Sequence, residues 1–280
     1  MWKHTGIYCV LFRAKTLIIY FVISTFDYCM KLSFIGSGNS ATVLAHLCRE
    51  KGHTLQQIIA RNEEAGRALA AEMNCSYIPF GAAPDRETEA VIICLSDNAL
   101  SEALCGMNFG NIPVMHTAGA VSMNVLQTVS SNYGILYPLQ SLSRKNPVIP
   151  SIPFIVEGNN EHMRAFVRFL AGTLSDTVDE LDEERRLRLH AAAVIVNNFT
   201  NYLYSTAKDF CDKEKIDFDL LKPLIVETAE RIKDNSPADV QTGPAIRKDI
   251  ITLDKHLRLL SNYPKLRTMY MRMTDGIMNP

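Results

Sequence analysis

The chain has 280 residues, 47% hydrophobic and 21% charged, with a net charge of -1. That length suits one large domain or two modest ones, and the near-neutral balance removes any global electrostatic case for nucleic acid or an anionic membrane surface. The seven cysteines are odd in number, widely spaced and without a C-x-x-C pair. They predict reduced thiols in a cytoplasmic setting, with no disulfide framework and no zinc site.

Residues 1–29 stand apart. Lys3, Arg13 and Lys15 precede a short apolar run, Leu17 to Ile23. The run falls short of the roughly 20 apolar residues of a membrane-spanning helix. It resembles a signal peptide, but Asp27-Tyr-Cys29 is a poor cleavage site. Met30-Lys31 lies where a first strand begins, so the expectation is a gene-start artefact upstream of Met30. A signal peptide, a membrane anchor and an extra strand are the alternatives.

Lys31-Leu-Ser-Phe-Ile-Gly36-Ser-Gly38-Asn39-Ser40-Ala41 organises the rest of the chain. Leu32, Phe34 and Ile35 read as a buried strand, and a helix opens at Ala41. A G-x-G-x-x-A segment between strand and helix is the dinucleotide-binding pattern. Gly36 allows the turn, Gly38 leaves room for a pyrophosphate, and Ala41 lets helix and strand pack closely. Gly36, Ser37, Gly38, Asn39 and Ser40 are therefore the predicted phosphate cradle, at the positive end of the helix dipole.

A second strand, Leu55–Ala60, ends at Arg61-Asn62-Glu63. NAD-specific proteins place an acidic residue there for the ribose 2′-hydroxyl. Arg61 and Asn62 take that place here, and a guanidinium suits a 2′-phosphate. The predicted cofactor is NADP(H); the alternative is a surface arginine at a helix start. A helix over 62–73 comes next, then a third strand near 75–78. Val91–Leu95 is continuously apolar, as in a strand buried on both faces. It ends at Ser96-Asp97-Asn98, and a strand at 113–115 ends at His116-Thr-Ala-Gly119. Both deliver polar residues to the carboxyl edge of the sheet, where ligands bind in open α/β folds. Leu95, Ser96 and His116 are the expected nicotinamide-side residues, with a turn-stabilising role the alternative for His116. Strands near 134–141 and 153–156 and a helix over 161–171 complete the first domain, expected to span 30–179.

Composition then changes. Leu181–Asp212 contains no Gly or Pro and reads as one long helix, apolar around its girth and so expected to be buried. Asp219 is the expected cap of a helix with Pro223 in its first turn. Ile246, Ile250, Leu253, Leu257 and Leu260 mark an amphipathic helix, and Pro264 starts a last one. The fold class predicted is α/β: a Rossmann-type, mostly parallel, doubly wound sheet, with an all-helical domain over 180–280.

This layout resembles the superfamily of 6-phosphogluconate dehydrogenase, 3-hydroxyisobutyrate dehydrogenase and pyrroline-5-carboxylate reductase. Phe34-Ile-Gly-Ser-Gly-Asn39, His116-Thr-Ala-Gly119, Tyr137-Pro-Leu-Gln-Ser141, His190-Ala-Ala-Ala193 through Asn198, and Thr242-Gly-Pro244 with Arg247 and Asp249 resemble a bacterial family of uncharacterised Rossmann-like proteins. Its members are provisionally labelled NADP oxidoreductases or domains of unknown function. The likeness covers about residues 30–275. It implies a homodimer paired through the helical domain, and a small-molecule substrate in the cleft between domains.

The hydroxyacid dehydrogenases of the superfamily place a catalytic lysine on the long helix, with asparagine one turn later. This chain offers His190, then Val194, with Asn197 and Asn198 two turns on and on roughly the same face by helical spacing. Relatives often have histidine where Tyr137 stands. His190 is the first candidate for a proton relay, since histidine titrates near working pH; a core histidine is the alternative. Asn198 is the candidate for orienting a carbonyl, imine or carboxylate, and Arg247 for an anionic group. The expected function is an NADP(H)-dependent oxidoreductase acting on a small C=O or C=N compound. A non-catalytic NADP-binding regulatory module is the alternative, and a membrane-tethered protein a third reading that depends on residues 1–29 alone.

Overall fold

The computed structural model describes residues 29–280. The expectations about the extension upstream lie outside the described residues. Two compact units divide between Val194 and Ile195, and each is described by itself.

The first unit is an eight-stranded sheet: β1 (Lys31–Ile35), β2 (Thr54–Ala60), β3 (Ser76–Pro79), β4 (Ala90–Ile93), β5 (Val114–His116), β6 (Tyr133–Pro138), β7 (Phe154–Gly158) and β8 (Val178–Glu180). Their spatial order is β3-β2-β1-β4-β5-β6-β7-β8. Every neighbouring pair is parallel except β6 and β7. The chain winds outward from β1 to β3, then returns to β4 on the other side of β1. That reversal is the switch point of a doubly wound sheet, and it opens a crevice at the strand carboxyl ends.

Five helices accompany the sheet: α1 (Asn39–Glu50), α2 (Glu63–Met73), α3 (Asp97–Ala103), α4 (Glu161–Leu174) and α5 (Glu183–Ala193). Strand pleating sends alternate side chains to opposite faces. Leu32 and Phe34 of β1 pack with buried residues of α1, α2 and α4, including Leu44, Leu69 and Val167. Ile35 joins Ile59, Val91, Ile93, Leu100 and Leu104 on the other face. Both faces being covered, β4 is wholly buried, which is why its sequence reads as an unbroken apolar run. Asn160 starts α4 by accepting the Met163 N–H at 2.8 Å.

Two elements go beyond the expectations from sequence: α3, seven residues long, and β8, three residues long. The expected domain boundary at 179 falls inside β8, which pairs with β7 through Ile155 and Asp179. The contact boundary lies later, so α5 packs with the sheet unit.

The second unit, Ile195–Pro280, holds α6 (Thr200–Glu214), α7 (Lys222–Arg231), α8 (Ile250–Leu259) and α9 (Pro264–Met278). The expected long helix runs from Glu183 to Glu214, but Val194–Phe199 winds as a π-helix. Its expected burial is contradicted: Val196 is 72% exposed, and Phe199 and Ile195 each 58%. A helix apolar around its girth has only part of it covered within this chain. Asp217, not Asp219, caps the turn before α7, by accepting the Asp219 N–H at 2.9 Å. α8 begins at Ile250 because Asp249 caps it, accepting the Thr252 N–H at 3.1 Å and its hydroxyl at 2.7 Å. Phe210 of α6 meets Tyr263 edge-on at 5.2 Å, and His256 of α8 contacts the Tyr270 hydroxyl of α9 at 2.8 Å. Among the described residues no helix is long and apolar enough to cross a membrane.

Candidate functional site

The loop from β1 to α1 lies at the switch point. The Gly36 N–H donates to the Ile59 carbonyl at 2.8 Å, and the Cys94 N–H to the Ile35 carbonyl at 2.8 Å. Gly36 has φ +120°, and a Cβ there would lie 2.3 Å from the Cys94 carbonyl oxygen. Both backbone conformation and space demand glycine. Gly38 caps α1 in extended conformation, with no side-chain hydrogen bond to the first turn and no acidic residue in it. A Cβ built on Gly38 meets nothing within 4 Å, so the space over the helix start is open. Ala41 is fully buried behind it. Asn39 accepts the Arg144 N–H at 3.4 Å. Among the described residues this helix start has no side-chain cap, no acidic residue in its first turn and open space over Gly38, which fits a diphosphate.

Arg61 sits just past the end of β2 and is exposed. Its guanidinium stacks over the Phe80 ring at 4.7 Å, a contact that nothing in the sequence pattern foretold. Asn62 caps α2 by accepting the Ala65 N–H at 2.9 Å. Its amide oxygen is thereby engaged.

The remaining predicted residues of this unit gather at the carboxyl ends of β4, β5 and β6. Leu95 is half-buried against the core, and Ser96, exposed, precedes α3 with its hydroxyl not used as a cap. His116 is fully buried. Its Nδ1 accepts the Ala118 N–H at 3.2 Å, and its Nε2 lies 3.2 Å from the Ser122 carbonyl. Both nitrogens serve the main chain, which leaves neither for a nicotinamide or substrate. Burial pushes its pKa down to about 4, against the Ser122 contact and with help from the nearby Arg186 charge. The ring is a neutral brace of the loop after β5.

Arg186 of α5 holds the same loop from below. It is fully buried, and its Nη1 donates to the carbonyls of Gly119 at 2.7 Å, Val121 at 2.9 Å and Ala118 at 3.4 Å. Its Nη2 reaches Glu157 at 3.5 Å, while its Nε has no partner among the described residues. Burial holds the Glu157 carboxyl above its usual range despite the guanidinium. One turn after Arg186 stands His190. Its Nδ1 lies 3.0 Å from the Tyr137 hydroxyl, with the rings edge to face at 5.8 Å. Gly119 fills the angle between them: a Cβ there would come within 2.6 Å of His190 Nδ1 and 2.8 Å of the Tyr137 ring.

The sequence singled out Gly36, Gly38 and His190 but not Arg186 or Glu157, and it gave Tyr137 no role. An arginine four residues before His190 on one helix was the available signal, since that spacing puts both on one face. Asn198 lies in the second unit and is exposed. The π-helical turn interrupts the α-helical spacing that was expected to align it with His190. Arg247 is exposed and Asp249 is a helix cap. A groove of about 810 Å³ runs along α1 rather than over the strand ends. Its charges partly neutralise one another, as in His46 and Glu72 at 3.0 Å.

Comparison with known proteins matches residues 152–277 to a domain of unknown function, DUF2520. The crystal structure of the "putative NADP oxidoreductase BF3122" from Bacteroides fragilis shares 34% identity over 91% of this chain and 100% of that one, with a TM-score of 0.82. Protein TM1727 from Thermotoga maritima matches at 20% identity over 88% of this chain and 96% of that one, TM-score 0.67. The 1-pyrroline-5-carboxylate reductase of Streptococcus pyogenes matches at 16% identity over 90% and 99%, TM-score 0.61. At such identities the last two show a shared fold. None of the curated proteins matches this chain.

His116 makes stability depend on pH. The unfolded imidazole takes up a proton below about pH 6.5, whereas the folded one waits until about pH 4. Acidification within that window therefore favours unfolding. By pH 5 the loss attributable to His116 is about 2 kcal/mol. His53, also held down by burial, acts in the same sense. Urea unfolding at pH 7 and pH 5 should show a smaller fall for His116→Asn than for wild type, by about that amount. An equal fall in both would remove His116 as its source.

Proposed function

The chain belongs to the same family as the Bacteroides fragilis protein, and from that premise we propose that it is an NADP(H)-dependent oxidoreductase acting on a small C=O or C=N compound. The observation that carries this reading is the Gly36–Ser40 loop: a glycine forced by the Cys94 carbonyl, then an open, uncapped helix start at the switch point of the sheet. N–H groups of this loop hold the diphosphate. Arg61, steadied on Phe80, takes the 2′-phosphate as a charge-assisted hydrogen-bond donor, with the Asn62 amide beside it. Leu95 and Ser96 line the nicotinamide side. His116 acts through the loop that it braces rather than on the ring. When bound, the cofactor supplies or accepts a hydride at its nicotinamide. His190 supplies the proton relay.

The Streptococcus pyogenes protein is a pyrroline carboxylate reductase by name, which makes cyclic imines, beside keto acids, the substrates to try. A regulatory NADP-binding module needs no proton-transfer groups at the strand ends. The Tyr137–His190 pair there favours the enzyme.

Calorimetric titration tests the cofactor reading. NADPH should bind more tightly than NADH. Arg61→Ala should weaken NADPH by about 10- to 100-fold, the worth of one hydrogen bond to a charged group, and leave NADH nearly untouched. An unchanged ratio would take Arg61 out of the site.

The second unit leaves Leu220 73%, Leu224 62%, Ile250 60% and Ile251 72% exposed. Apolar area on this scale marks an association surface, and we assign it to a homodimer. Light scattering on the purified protein should give twice the chain mass at micromolar concentration; the mass of a single chain would refute the pairing.

A further inference from the structure

We propose that Tyr137 is the residue that hands a proton to the substrate's oxygen or nitrogen, with His190 behind it as the proton store. The proposal rests on the oxidoreductase reading and names a catalytic residue within it.

Place is the first argument. Tyr137 is the penultimate residue of β6. Its strand is parallel to β5, where His116 pairs with Ile135, so Tyr137 stands at the same carboxyl edge as the β5 loop. Asp97 at the start of α3 is near enough to act on its charge. Of the side chains at this edge that can move a proton, His116 is spent on two main-chain contacts. Tyr137 and His190 are spent on each other.

Fixation is the second argument. Gly119 is not in a left-handed conformation, so its backbone does not require glycine. The space does: any Cβ would collide with His190 Nδ1 and the Tyr137 ring together. The peptide beside the pair is held by Arg186, whose Nη1 gathers the Ala118, Gly119 and Val121 carbonyls in a fully buried setting. Two rings of a structural pair could drift by tenths of an ångström without consequence. Here the loop held by Arg186 presses Gly119 against both rings, and proton transfer is the chemistry most sensitive to such distances.

Protonation state is the third. Burial raises the Tyr137 phenol above its ordinary value, and Arg186 only partly opposes this. The phenol is therefore protonated at neutral pH and acts as an acid, which matches the direction of reduction.

In that direction, hydride adds to the carbon of the C=O or C=N bond, and the π pair moves to the heteroatom. That atom takes the Tyr137 proton, leaving phenolate. The His190 Nδ1 proton passes to the phenolate across the 3.0 Å contact. His190 is half-exposed and regains a proton from water. NADPH of the proposed function is the reductant.

The test uses full-length protein with NADPH and a panel of cyclic imines and 2-keto acids. Tyr137→Phe keeps the ring and removes only the hydroxyl. It should bind NADPH within about 3-fold of wild type and lose about 100-fold or more in kcat on whichever compound wild type reduces. His190→Gln, at a half-exposed position, should lose about 10- to 100-fold in kcat with KM within about 3-fold. In 15N-histidine spectra of the NADPH complex without substrate, the His190 Nδ1 resonance should move in Tyr137→Phe. That shift reports the bond independently of turnover. Unimpaired turnover by either variant, or a stationary Nδ1 resonance, overturns the dyad alone. A wild type that binds NADPH but reduces nothing on the panel overturns the dyad together with the reductase reading.

Discussion

Gly36 and the Cys94 carbonyl approach so closely that no side chain fits between them. This contact fixes more than a turn. It brings the end of β1 against the end of β4, the two strands from which the sheet winds in opposite directions. It also sets where α1 begins, and hence where a row of unpaired N–H groups faces open space. Any residue larger than glycine would have to push β4 away from β1 or bend the helix start out of the crevice. The geometry that makes the fold doubly wound is the geometry on which the proposed diphosphate site rests.

A second constraint operates at the loop after β5. Burying an arginine is costly unless its charge is met by hydrogen bonds. Arg186 meets that cost with three carbonyls from one short loop and a carboxylate at the limit of contact, yet its Nε stays unpartnered among the described residues. The loop cannot relax without exposing several of these partners at once. A charge taken from water thus gives rigidity to a stretch of chain that has no regular secondary structure. His116 braces the loop from its own strand, Arg186 from α5, and Gly119 passes that order on to Tyr137 and His190.

How much could be read from sequence depended on range. β4 was readable because burial on both faces leaves an unbroken apolar run, and β1 because Leu32, Phe34 and Ile35 lead directly into the glycine turn. The Gly36–Gly38 loop was readable because its glycines are bounded by a strand and a helix. α3 and β8 were too short to show a period. The residues around His190 were only partly readable, because Arg186 acts through main-chain carbonyls some 65 positions away, and a carbonyl leaves no mark in the sequence. The long helix was misjudged for a different reason. Apolar residues around a helix foretell a covered surface but do not say which chain covers it. Asn198 was aligned with His190 by a spacing that a π-turn interrupts. No periodicity in the residues gives that turn away.

In the proposed function the loop beginning at Gly36 grips a dinucleotide through its main chain. A crystal structure grown with NADPH tests it most directly. The diphosphate should lie within hydrogen-bond distance of N–H groups among residues 37–41, with the adenosine end running toward Arg61. A nucleotide bound elsewhere on the chain, or saturating NADPH that leaves this loop empty, would contradict it.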